Sequence, residues 1–198
     1  ENAIGGTLND TFIMNQDYVD NVIDGKEGTN TISYETYTSG VKINLSTTLA
    51  QTVLVAAASG TDHDIDTILN IKNIIGSAKD DTFIGSSVSN SISGGIGNDT
   101  FIAGTDVNNV GTKDTWVTDG TDQFDGGDDE DWVDYSAITD DTIATTFGIQ
   151  VTLNGSSNVN VTVNGQTGYD RLKNVEHIIG TADKDSIVGD AKDNSLVG

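Results

Sequence analysis

The nine residues GGIGNDTFI, at positions 94–102, carry the clearest structural signal in this chain, and related segments lie directly before them. GSAKDDTFI (76–84) and GSSVSNSIS (85–93) agree with them column by column. Every segment has glycine in the first position, Asp or Asn in the sixth and a large apolar residue in the eighth. A period of nine fits neither an α-helix of about 3.6 residues per turn nor an array of hairpins. It predicts coils of about eighteen residues, each made of two half-turns in which a glycine-rich turn precedes a short strand.

The same pattern returns elsewhere in the chain, and a longer period overlies it. Further copies are GGTLNDTFI (5–13), GKEGTNTIS (25–33), GGDDEDWVD (126–134), GTADKDSIV (180–188) and GDAKDNSLV (189–197). The opening ENAIGGTLNDTFI returns from residue 72 and again from residue 176, and IDGKEGTNTISY (23–34) matches FDGGDDEDWVDY (124–135). These matches predict one all-β region, 1–198, with two super-repeats (1–71 and 72–175) and the start of a third (176–198). An insertion at 104–120 lengthens the second copy and is expected to hold distorted coils.

Apolar residues fill the eighth position of every segment, which predicts a narrow core of stacked Phe, Ile, Leu and Val side chains. The alternation in VTLNGSSNVNVTV (151–163) predicts two strands around a turn near Asn154-Gly155. LAQTVLVAAA (49–58) leaves a short surface helix open as an alternative. Additional coils without metal-binding turns are expected at 31–45, 49–59, 132–136 and 147–163.

The charge of the chain excludes several classes of function. Acidic residues number 31 and basic residues 9, which gives a formal net charge of −22. Such a surface repels nucleic acid and anionic membranes, because both need a positive footprint. No apolar run is long enough to cross a bilayer, so we expect no membrane insertion by this segment. Cysteine is absent, which removes disulfides and thiolate metal sites.

Stacked coils would bring the sixth-position carboxylates together. Two such charges about 5 Å apart repel by roughly 3 kcal/mol at an effective dielectric constant near 20. A divalent cation between successive turns reverses the sign of this interaction. The available ligands are Asp oxygens and turn carbonyls, an all-oxygen set that favours Ca²⁺ over Mg²⁺, since Mg²⁺ demands stricter octahedral geometry. We therefore expect several bound calcium ions.

GGIGNDTFI resembles the nonapeptide GGxGxDxUx of the RTX, or haemolysin-type, calcium-binding proteins, in which U is a large apolar residue. The resemblance covers nearly the whole chain, with one full match and seven degraded segments. It implies a right-handed parallel β-roll, a form of β-solenoid, built from nonapeptide half-turns with longer metal-free coils between them. It also implies export from a Gram-negative bacterium by the type I secretion machinery and folding in extracellular calcium. The ligands it implies are carbonyls of positions two and four with the Asp of one turn, and carbonyls of positions one and three with the Asp of the next.

Carried over to this chain, the resemblance assigns calcium ligands to several pairs of turns. One site would use Ser77, Lys79 and Asp81 with Gly94, Ile96 and Asp99. Another would use Gly6, Leu8 and Asp10 with Gly25, Glu27 and Asn30, and a third would use Gly126, Asp128 and Asp131 with a turn near Asp114. The remaining candidate ligands are Gly95, Gly97, Asp122 and Asp185. The sixth-position asparagines Asn30, Asn90 and Asn194 carry no charge, so weak metal binding and a metal-free asparagine ladder both stay open there.

The leading functional expectation is a calcium-binding module, without enzymatic activity, from a bacterial surface protein such as an adhesin or biofilm protein. Its location would be extracellular or on the cell surface, and other domains would hold any cell-surface or polysaccharide ligand. The alternative is the calcium-dependent carrier region of a secreted metalloprotease, lipase or alginate epimerase whose catalytic domain lies elsewhere. Ice binding through Thr11, Thr31, Thr82 and Thr100 is disfavoured, because other residues interrupt that face.

A further group of acidic residues has a simpler interpretation. Asp62, Asp64 and Asp66 alternate as an EF-hand loop does, but that loop requires glycine where Thr67 stands. They are interpreted as a solvated edge. The chain contains no HExxH, GxSxG or nucleotide-binding loop.

Overall fold

The computed structural model describes residues 2–17, 19–47, 49, 51–53, 65–103, 121–138, 148–163 and 169–198. Within these ranges the chain forms β-strands and turns, and it contains no helix that could span a membrane. The strands of the first half are β1 (Asn2–Ile4), β2 (Thr11–Ile13), β3 (Val22–Asp24), β4 (Thr31–Ser33), β5 (Lys42–Asn44), β6 (Gln51–Thr52), β7 (Ile65–Leu69), β8 (Asn73–Ile75), β9 (Thr82–Ile84) and β10 (Ser91–Ile96). Those of the second half are β11 (Thr100–Ile102), β12 (Gln123–Asp128), β13 (Trp132–Asp134), β14 (Ile149–Thr152), β15 (Val159–Val163), β16 (Tyr169–Lys173), β17 (His177–Ile179), β18 (Ser186–Val188) and β19 (Ser195–Val197).

These strands make three open sheets. Sheet A has the order β1-β3-β7-β6, sheet B the order β18-β14-β15-β16-β12-β10-β8-β4-β2, and sheet C the order β19-β17-β13-β11-β9-β5. The described pairs are parallel except β6–β7, β14–β15 and β15–β16. The all-β class with mostly parallel strands is therefore confirmed.

Between residues 73 and 134 the chain alternates between two sheets. The strands β8, β10 and β12 lie in sheet B, and β9, β11 and β13 lie in sheet C. Asn73 pairs with Ser91 and Thr82 with Thr100, which confirms the spacing of eighteen residues. Other coils are longer: Thr100 pairs with Trp132, because the insertion at 104–120 lies between their strands.

Eighth-position side chains form the core between sheets B and C. The rings of Phe83 and Phe101 stack with centroids 5.6 Å apart, and Phe101 lies 5.2 Å from Phe124 of the facing sheet. All three rings are fully buried or nearly so. Burial is lost toward the last coil, where Leu196 is 39% exposed. The predicted core is confirmed in its central coils.

The longer stretches differ from the expected coils in two places. The two strands predicted around Asn154-Gly155 exist as β14 and β15, but they pair antiparallel, and β15 pairs antiparallel with β16 as well. The expectation of an extra solenoid coil at 147–163 is wrong there, because the turn from Asn154 to Ser157 reverses the chain and makes the predicted strand pair a hairpin. In the segment 49–58, Gln51 and Thr52 form β6 rather than a helix. Residues 54–58 and the insertion lie outside the described residues.

Candidate metal centre

The sixth-position side chains turn inward just before the strands of sheet C and accept hydrogen bonds from the preceding coil. Asp99 Oδ1 accepts the N–H of Asp81 at 2.8 Å, and Asp131 Oδ1 accepts the N–H of Asp99 at 2.8 Å. Glu176 Oε2 continues the series by accepting the N–H of Asp131 at 3.1 Å. We call Asp81, Asp99, Asp131 and Glu176 the acidic row. Its members are all buried, so the fold stacks four carboxyl groups away from solvent.

A second series, the mixed row, lies at the start of strands of sheet B, just before β2, β4, β10 and β12 and at the second residue of β16. Its members are Asp10, Asn30, Asn90, Asp122 and Asp170. Asn30 Oδ1 accepts the N–H of Asp10 at 2.9 Å, and Asp122 Oδ1 accepts that of Asn90 at 2.7 Å. In both pairs a side-chain oxygen accepts a backbone N–H of the preceding coil, as in the acidic row. Amides here replace part of the negative charge.

The turns of the acidic row also stack on each other in register. The pairing of β10 with β12 runs past the strands into the turns, with Gly95 opposite Gly127 and Ile96 opposite Asp128. Gly95 and Gly127 both have positive φ angles, of 115° and 113°. A Cβ on Gly127 would clash with the carbonyl oxygen of Gly95. Glycine is thus needed at positions 95 and 127 for these two turns to approach each other so closely.

Three carboxylate oxygens in the nonapeptide turns are buried and have no hydrogen-bond donor among the residues that the structure describes. They are Oδ2 of Asp99, Asp131 and Asp185. Asp99 Oδ2 lies over Gly94, where a Cβ would clash with it and would stand 2.5 Å from the carbonyl oxygen of Gly126 in the next coil. Two acceptors therefore face one small space that no side chain fills. A buried acceptor without a donor costs about 1–3 kcal/mol, and more when it is charged, so this arrangement calls for a cation or a proton.

The pKa values reflect the same deficit of positive charge. Burial raises the pKa of the Asp99 carboxyl to about 8, and the negative charges of Asp81 and Asp131 act in the same direction. Burial also raises the pKa of Asp131 to about 7, with a further contribution from the charge of Glu176. The pKa of Asp81 is raised too, again chiefly by burial. Without a metal, the raised pKa values of Asp99 and Asp131 favour their protonated forms up to near neutral pH.

The structure brings together two of the three pairs of turns expected from the sequence. The turn at 76–81 lies beside the one at 94–99, and the turn at 5–10 lies beside the one at 25–30. The third pair differs: the turn at 126–131 stacks on 94–99, whereas Asp114 lies outside the described residues. Asp122 belongs to the mixed row. Asp185 stands apart from both rows and accepts the N–H of Ile149.

Three buried acids of the described residues were not predicted as candidate site residues. Asp66 is fully buried and accepts the N–H of Asn21 at 2.9 Å, so its interpretation as part of a solvated edge is wrong. Asp170 and Glu176 are also buried, at 3% and 2% exposure. The signal for two of them was present, since DTILNI (66–71) and DRLKNV (170–175) align and place Asp66 and Asp170 at the same point, the second residue of β7 and of β16. Glu176 has no such signal.

A cation in this centre would be coordinated mainly by backbone carbonyl oxygens. Among the described residues, no group of three or more His, Cys, Asp or Glu side chains converges on one point. Two carboxylates and several carbonyls remain as donors, a set that Ca²⁺ accepts. The sequence matches no model of a known family, and no match is found among curated proteins. The functional interpretation therefore rests on the geometry of the turns and on their resemblance to the RTX nonapeptide.

Proposed function

We propose that this chain is a calcium-binding module of the RTX type, folded as a right-handed parallel β-roll and without enzymatic activity. The spacing of eighteen residues and the alternation of strands between sheets B and C support the roll. The match of residues 94–102 to the RTX nonapeptide supports the metal and the family.

One observation carries the proposal: Asp99 Oδ2 is buried without a donor beside the carbonyl oxygen of Gly126. A calcium ion between the two turns would supply the missing positive charge. Asp99 and the carbonyls of Gly95 and Gly97 would hold it from one turn. Asp131 and the carbonyls of Gly126 and Asp128 would hold it from the next. No rearrangement of the coils is required, because the two turns are already in register.

Calcium fits these donors better than magnesium does. All of them are oxygens, and carbonyls fixed by the turns set an irregular shell that a larger cation tolerates. Magnesium keeps several waters and demands near-octahedral geometry, so it would compete poorly. Side chains suited to transition metals play no part, because the turns contain neither His nor Cys.

Binding of this kind couples to folding. A chain with a net charge of −22 opposes its own compaction, and the buried acids add to that cost. Calcium binds the folded turns and lowers the free energy of the folded state. We therefore propose an extracellular or cell-surface location, where calcium is millimolar, and a structural or adhesive role in a secreted bacterial protein exported by type I secretion.

The test is circular dichroism during a calcium titration that starts in EDTA. We expect β structure to increase as calcium is added, with a Tm that rises with calcium concentration. Magnesium at the same concentration is the control and is expected to give at most a small increase. A spectrum and a Tm that are the same in EDTA and in millimolar calcium would contradict the proposal.

A further inference from the structure

Each super-repeat has a gap between a turn (25–30 or 126–131) and the next coil, and the side chain that points into this gap differs between the two copies. In the alignment of residues 23–34 with 124–135, Asn30 stands where the second copy has Asp131. Both side chains bind the preceding coil in the same way. Asn30 Oδ1 accepts the N–H of Asp10 at 2.9 Å, and Asp131 Oδ1 accepts the N–H of Asp99 at 2.8 Å.

The second terminal atom of each side chain points into the gap toward the next coil. Asn30 Nδ2 lies over Gly25 and donates to the carbonyl of Asn70 at 3.0 Å. It also lies within hydrogen-bond distance of the carbonyls of Gly25, at 2.8 Å, and Glu27, at 3.1 Å. This amide faces only acceptors, and its two N–H groups are shared among the three carbonyls.

Asp131 Oδ2 occupies the equivalent place over Gly126, where a Cβ would clash with it and with the carbonyl oxygen of Asn174. It has no hydrogen-bond partner although it is buried. The facing carbonyl thus meets an N–H donor in the first copy and a carboxylate oxygen in the second.

The facing carbonyl is held in the same way in both copies. Asn70 and Asn174 have positive φ angles, of 56° and 51°. The side chain of Asn70 donates to Asp24 at 2.6 Å, and that of Asn174 donates to Asp125 at 2.7 Å. The facing carbonyl is thus held alike, and the two gaps differ in the Asn/Asp exchange and in the neighbouring residue of the next coil, which is Lys72 in the first copy and Glu176 in the second.

We propose that the side-chain amide of Asn30 takes the place of a cation, so that the gap between 25–30 and Asn70 closes without metal while the matched gap at Asp131 requires one. The amide supplies donors to the oxygens that a cation would otherwise coordinate, and it carries no charge whose burial must be offset. The first super-repeat then has a calcium-independent contact between coils where the second has a calcium-dependent one. The claim that the gap at Asp131 requires a cation rests on the proposed function. The claim that the Asn30 amide closes its own gap does not.

The test exchanges the two groups in the full chain by Asn30→Asp and Asp131→Asn. In EDTA, we expect Asn30→Asp to lower the Tm by at least about 4 °C, because a carboxylate then faces three carbonyls. Asp131→Asn is expected to raise it by a similar amount, since the orphaned oxygen becomes a donor. In saturating calcium, ions counted by native mass spectrometry should number one more than wild type for Asn30→Asp and at least one fewer for Asp131→Asn, because Asp131 also belongs to the proposed site with Asp99. Asn158→Asp, which adds the same charge at an exposed turn, is the control and should change neither quantity.

The outcomes separate this inference from the proposed function. A wild-type chain that binds no calcium defeats the proposed function, while the order of Tm values in EDTA still supports the role of the amide. A wild type that binds calcium, with both variants unchanged in ion count, overturns the exchange of amide for cation. Should Asn30→Asp fail to fold in EDTA, Asp131→Asn decides alone, and a Tm in EDTA at or below that of wild type overturns the inference.

Discussion

The carboxyl groups of the acidic row are compensated by different partners at successive coils. Asp81 accepts hydrogen bonds from the N–H of Ser77, at 2.6 Å, and from its hydroxyl, at 2.8 Å. Glu176 forms an ion pair with Lys192, which supplies a permanent ammonium at the far end of the row. Asp99 and Asp131 lie between these two residues in the row. Among the described residues, no hydroxyl or lysine donates to Oδ2 of either one. A bound cation is therefore needed most in the middle of the row.

At the residue scale, Gly94→Ala should remove a cation site. The new Cβ would clash with Asp99 Oδ2 and stand 2.5 Å from the backbone oxygen of Gly126, so the turn must shift. We expect one calcium ion fewer and a loss of at least about 2 kcal/mol in the free energy of unfolding, measured by urea denaturation in calcium.

The matched control is Gly6→Ala, because nothing lies within 4 Å of a Cβ at that position. Its free energy of unfolding should stay within about 0.5 kcal/mol of wild type. Equal effects of the two substitutions would show that the space over Gly94 has no special role.

At the scale of the strands, stability should depend on the aromatic stack. Phe101 in β11 is fully buried between Phe83 and Phe124. Phe101→Ala should lower the free energy of unfolding in calcium by about 3–5 kcal/mol, because it removes a core ring and leaves a cavity. Ile13→Ala in β2 provides a contrast, since Ile13 is 65% exposed and should contribute little. A loss below about 1 kcal/mol for Phe101→Ala would contradict a core that depends on this stack.

The sequence predicted those elements whose neighbours lie one coil away. The eighth-position core and the register of Thr82 with Thr100 follow from the period of nine alone. Register across longer coils did not follow, because the length of 104–120 does not say which turn stacks on 126–131. The antiparallel pairing of β15 with β16 was also missed, since alternation predicts a strand and not its neighbour.

The candidate site was predictable in its residue types but not in its contacts. Sixth-position acids such as Asp99 were identified from spacing. Spacing does not reveal that Asn30 Nδ2 reaches three carbonyls, or that Lys192 reaches Glu176 from sixteen residues away. Those contacts depend on the rotation of individual side chains in the stacked coils.

At the scale of the whole molecule, stability without metal should fall as pH rises. The pKa of Asp99 is raised to about 8 and that of Asp131 to about 7, whereas unfolded carboxyls titrate near 4. Between these values the folded state holds protons that the unfolded state has released, so rising pH favours unfolding. Their contribution is complete below about pH 4 and is lost as pH passes 7 to 8. The pKa of Asp24 is lowered to about 2, by hydrogen bonds from Lys26 first and then Asn70. Its titration therefore affects stability only below about pH 4.

We therefore expect the free energy of unfolding in EDTA to drop by at least about 2 kcal/mol from pH 5 to pH 8.5, measured by urea denaturation. Saturating calcium should abolish or reverse this slope, because a cation replaces the protons and binds more tightly as the carboxyls ionise. Asp99→Asn, which cannot titrate, should flatten the slope in EDTA. A wild-type profile that is level in EDTA would mean that Asp99 and Asp131 are already ionised without metal, and that their burial alone does not create a demand for positive charge.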